Sequence, residues 1–166
     1  MKTDGQMEVG SMAKDWLSKL SEEDLEQSLD ADIRALLSCA GRTEEDIERV
    51  AQVIAARPPH LAARRRKRIA ADYWRSVKEE VYLLLCTDDA KYSALLGRLT
   101  TTGRVTGPVV IAMIATAVSK ELGFGTTLIT PFVVLCLIAV VRVGTQAWCR
   151  LASNSNERGN RARAPA

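Results

Sequence analysis

The chain has 166 residues and a mass of 18.2 kDa, enough for one domain with a real core and too few for two without special help. Its 47% hydrophobic content includes only 5% aromatic residues of the whole chain, and the formal net charge of +3 hides a strong asymmetry. From Ser21 to Arg57 there are ten acidic and four basic residues, whereas Pro58 to Lys78 holds seven basic residues and one acidic, so either the two segments neutralise each other or a basic surface awaits an anionic partner.

In chain order, residues 1–11 are polar and glycine-containing, lack the apolar stretch of a secretory signal and are expected to be a disordered N-terminus. No alternating strand pattern appears anywhere, and helix start and stop signals recur along the chain, so the expected class is all-α. We expect a helical bundle of six or seven helices with a C-terminal hydrophobic hairpin. The domain is placed at 12–151, with amphipathic helices over 12–99 and the hairpin over 105–151.

A short amphipathic segment around Trp16, Leu17 and Leu20 comes first. Ser21, followed by Glu22, Glu23 and Asp24, is a cap with first-turn acids, and Leu25, Leu29, Ile33, Leu36 and Leu37 form one helical stripe that Gly41 would end in a left-handed conformation. Thr43 opens the next helix, whose buried face is Ile47, Val50, Ala51 and Ile54, and Pro58-Pro59 stops it. From His60 to about Cys86 one long helix is expected, spanning roughly 40 Å. Thr87-Asp88-Asp89 interrupts it and caps a shorter helix bearing Tyr92, Leu95, Leu96 and Leu99.

After a polar linker at 100–106 come two uncharged runs, fifteen residues from Val105 to Ser119 and twenty from Leu122 to Val141. Lys120-Glu121 and the turn Gly123-Phe124-Gly125 separate them. Pro108 suits a first turn, and the second arm is expected to begin at Thr126 or, more favourably, at the Thr130-Pro131 pair, and to run to about Leu151. The hairpin candidates, exposed to lipid or buried as core, are Val109, Ile111, Ile114, Val118, Phe132, Val134, Leu135, Leu137, Ile138 and Val141. Each arm supplies about 22 Å of apolar helix against a hydrocarbon core of about 30 Å, which favours the protein interior. Arg98, Arg104, Arg142 and Arg150 at the hairpin ends instead follow the positive-inside pattern. Both readings stay open, as does a hairpin sheathed by amphipathic helices that inserts when they part. Residues 152–166 hold arginines and no aliphatic side chain larger than alanine, and are expected to be a disordered basic tail.

Chemistry has few footholds. Cys39, Cys86, Cys136 and Cys149 form no CxxC pair and neighbour no histidine, which excludes zinc-site spacing. They read as free, small hydrophobes of a reducing cytoplasm. The single histidine, His60, offers a poor basis for a catalytic triad, and the glycine spacings match no nucleotide-binding loop. We expect no enzyme, no metal and no cofactor. The sharp surface feature is Arg64, Arg65, Arg66, Lys67 and Arg68, five cations that wrap most of a helix, so some must face solvent or an anion. The function expected is a non-catalytic helical interaction or effector protein of the cytoplasm, engaging a protein partner or, through the hairpin, a membrane. The competing class is a soluble regulatory or nucleic-acid-associated module with the hairpin as core. No small-molecule substrate is implied.

Overall fold

The computed structural model describes residues 15–41, 43–57, 63–101 and 106–163, with the side chains of 63–71, 156 and 159–163 outside that description. Residues 1–11, expected to be disordered, lie outside the described residues, as do Pro58-Pro59, His60 and Arg104. The described chain is all-α. Its helices are α1 (Asp15–Ser18), α2 (Glu22–Gln27), α3 (Ala31–Cys39), α4 (Glu44–Ala55), α5 (Ala63–Cys86), a 3-10 turn (Ala90–Tyr92), α6 (Ser93–Thr101), α7 (Gly107–Leu122), α8 (Thr126–Val143) and α9 (Thr145–Arg163).

Nine α-helices among the described residues exceed the six or seven expected, because two expected helices are divided. The stripe from Leu25 to Leu37 is broken at Ser28–Asp30, where the Ser28 hydroxyl donates to the Asp24 carbonyl at 3.0 Å and Asp30 takes the N-cap position of α3. Such short polar side chains compete with the backbone for hydrogen bonds and favour helix ends. The second break falls at Gly144, whose φ of 85° and ψ of 148° occupy a region open essentially to glycine alone. The second hairpin arm therefore stops at Val143 instead of Leu151.

The C-terminal segment is also corrected. The chain expected to be a disordered tail from 152 is helical through Arg163, since α9 is nucleated on its packed first turns, where Trp148 and Ala152 are buried. Composition alone did not show that this polar stretch continues a packed helix.

Other signals act as expected. Ser21 caps α2 by accepting from the Asp24 amide at 3.1 Å. Thr43 and Asp46 form a reciprocal capping box on α4, whose side-chain hydrogen bond from Thr43 holds the Asp46 carboxyl below its ordinary value. Gly41 does not adopt the expected left-handed conformation, which among the described residues belongs to Gly123. Its lack of a Cβ instead leaves room for the Asp46 carboxylate. Gly123, at φ 73°, ends α7 as expected.

One hydrophobic cluster runs from Trp16 to Ala152. Helix α8 is its axis, with α2, α4, α5, α7 and α9 packed around it. Acidic α4 lies along α5, the neighbourhood expected if the oppositely charged segments neutralise each other.

Candidate functional site

The site is built on α8. Ile129 and every residue from Phe132 to Val140 are buried, none more than 3% exposed. Fully burying each aliphatic or aromatic side chain contributes about 1.5–3 kcal/mol, so this helix supplies a large share of the core. Trp74 of α5 packs on Phe132 with ring centroids 6.4 Å apart, and Tyr73 meets Phe124 edge-on at 4.5 Å, seating the turn between α7 and α8 against α5.

The helix starts at Thr126, against the favoured Thr130. Pro131 stands inside it, where its missing amide removes one bond to the Thr127 carbonyl, and the Thr130 hydroxyl donates to the Thr126 carbonyl at 2.7 Å. Starting four residues earlier gives α8 eighteen residues and about 27 Å of length, more than the 22 Å expected. Among the described residues it is the one helix long and apolar enough to cross a membrane, with a mean hydropathy of 2.2.

Of the ten hairpin residues singled out in the sequence, Ile111, Ile114 and Val118 of α7 and Phe132, Val134, Leu135, Leu137 and Ile138 of α8 are buried together. Val141 is half-buried. Val109 departs from the set: it is 47% exposed and faces a groove of about 640 Å³ between α6 and α7, lined also by Leu95, Ala112, Met113 and Thr116. Helix α7 is amphipathic, with one face in the core and the other on this groove. The basic run from Arg64 to Arg68 lies in the first turns of α5, and its side chains are outside the described residues.

Two polar clasps hold the sheath, and neither stood out in the sequence. Arg142, at the last turn of α8, donates through Nε to Glu22 at 2.6 Å and approaches Glu26 through Nη2 at 3.5 Å. The two acids are four apart and share a face of α2. Arg142 thus serves as an internal ion-pair partner, whereas the charge pattern read it as a flanking cation. At the other end, the Tyr92 hydroxyl donates to Glu80 at 2.5 Å, and Lys91 lies 2.7 Å from Glu80 and 4.0 Å from Glu121. Burial, then the Glu80 carboxylate, with smaller contributions from Glu121 and Asp89, push the Tyr92 phenol above its ordinary value. Burial pulls the Lys91 ammonium down, but its hydrogen bond to Glu80 and the charges of Glu80, Glu121 and Asp89 outweigh that and raise it.

The cysteines differ from expectation. Cys86, the last residue of α5, is joined to Cys149 of α9 by a disulfide across a sequence separation of 63, while Cys39 is free and exposed and Cys136 free and buried. Spacing along the chain could not reveal this pair, because only the packing of α9 on α5 brings them together. Among the described residues no group of three or more His, Cys, Asp or Glu side chains converges.

Comparison finds no match. No protein-family model, curated protein or solved structure matches this chain, so the functional reading rests on its own geometry.

Proposed function

We propose that this chain is a non-catalytic helical effector that keeps α8 sheathed in its bundle and engages a membrane, alone or with a protein partner, when the sheath parts. The observation that carries this reading is the length and hydropathy of α8, eighteen residues at a mean of 2.2, about 27 Å against a hydrocarbon core of about 30 Å. Among the covering helices, α2 and α4 are short, with six and twelve residues. Leu128, in the first turn of α8, is 43% exposed and offers an apolar tip.

The test is flotation of the full chain with anionic and with neutral phospholipid vesicles. Wild type is expected to float with the anionic set, and Leu128→Glu, whose exposed site leaves the fold intact, is expected to float less. Failure of the wild type to float with either set, both with its disulfide closed and after reduction, sinks the reading. Val134→Arg is expected to unfold the bundle, since a buried unpaired charge costs several kcal/mol or more.

The complete burial of Phe132 to Val140 favours a second reading, in which α8 is permanent core and the Arg64 to Arg68 stretch of α5 meets an anionic partner such as a nucleic acid. In that case vesicles are ignored, and polyanion binding weakens steeply with added salt.

A further inference from the structure

The disulfide occupies a place where its loss would free one particular element. Helix α9 leaves α8 at Gly144, a glycine-only conformation, and then lies over α5 and α8. Among its described side chains only Trp148 and Ala152 are buried. No hydrogen bond or ion pair joins α9 to another helix among the described side chains, its Ser155 hydroxyl, for example, donating to the Leu151 carbonyl of the same helix. Among the described side chains, the Cys86–Cys149 bond is therefore the one directional tie between α9 and the bundle. Both cysteines are half-buried at the edge of the core.

We propose that Cys86 and Cys149 form a reversible thiol–disulfide exchange site that acts as a latch: the closed bond holds α9 over α8, and reduction by a dithiol lets α9 swing about Gly144 and uncovers one flank of α8. This rests on the membrane reading for its purpose, though not for its chemistry. One thiolate of the dithiol attacks a sulfur of the pair, forming a mixed disulfide and releasing the other cysteine as a thiolate that takes up a proton. The second thiol of the reagent then resolves the mixed disulfide. The chain gains two electrons and two protons as two thiols, and the reagent leaves as its own disulfide.

Hydrogen exchange of the full chain tests this, in a Cys39→Ser background that prevents bonding between copies. On treatment with a dithiol, amides of 145–158 are expected to exchange about tenfold faster or more, while those of α4, α5 and α8 stay protected. Reoxidation is expected to restore protection, and Cys149→Ser to exchange at the reduced rate with or without reagent. Equal exchange of 145–158 in both states overturns the latch, and so does a reduced chain that loses protection everywhere, since the bond is then a staple of the whole fold. Vesicle flotation run alongside separates the two proposals. Faster exchange without flotation upholds the latch and sinks the membrane reading; flotation with no change in exchange does the reverse.

Discussion

Arg142 shows how a single side chain can join surface to core. Its guanidinium is mostly buried, at 11% side-chain exposure, between carboxylates that are 31% and 38% exposed. Hydrogen bonds to charged groups contribute about 1.5–3 kcal/mol, and the exposure of the acids reduces this. Arg142→Met is expected to lower stability by about 1–2 kcal/mol, read as a lower urea midpoint at unchanged slope, and pairing it with Glu22→Gln should show a loss smaller than the sum. An unmoved midpoint would rule the clasp out. Tyr92 and Lys91 govern the alkaline limb. Both groups have folded values above their unfolded ones, so their contribution is complete below about pH 10, near the unfolded values, and is lost as pH rises through the folded ones. Thermal melting should hold steady toward pH 10 and fall beyond it. Tyr92→Phe should melt lower at neutral pH and decline less steeply above pH 10; an unchanged decline would remove the tyrosine from the account.

Among the elements, local signals were the legible ones. Ser21, Thr43, Pro108 and Gly123 announce helix ends in the sequence and stand at or next to them in the fold. Misreadings arose where packing overrode a local signal. Thr130-Pro131 resembles a helix start, yet α8 begins at Thr126 because the turn at Phe124 is anchored on Tyr73 and the helix tolerates one lost hydrogen bond. Gly144 carries no mark in the sequence beyond its identity, but it divides α8 from α9. Gly144→Ala has open space for the added methyl group, so its expected loss of about 1–3 kcal/mol is purely backbone strain. A melting temperature within error of wild type would show that α8 and α9 join without that conformation.

Across the whole molecule, the sequence pattern revealed the all-α class, whereas it left the ten hairpin residues open between lipid and core, and eight of them are buried together. The Glu22–Arg142 pair, 120 residues apart, and the Cys86–Cys149 bond, 63 apart, were illegible because both depend on tertiary docking. By the chain-entropy model, closing a loop of that second length stabilises the fold by about 4 kcal/mol. Reduction should lower the unfolding free energy by a comparable amount, while a small domain with about 5–15 kcal/mol in hand stays folded in water. An unfolding free energy that is the same with and without reductant would show that the bond imposes no constraint on the unfolded chain.

The same bond sets a parity rule. The Cα atoms of Cys86 and Cys149 are 5.7 Å apart, so both ends of the segment between them lie on one side of any bilayer. With the bond closed, that segment can cross only an even number of times, and α8 can enter only together with a returning partner such as α7. With the bond open the restriction disappears, and α8 can traverse alone, carrying α9 to the opposite face.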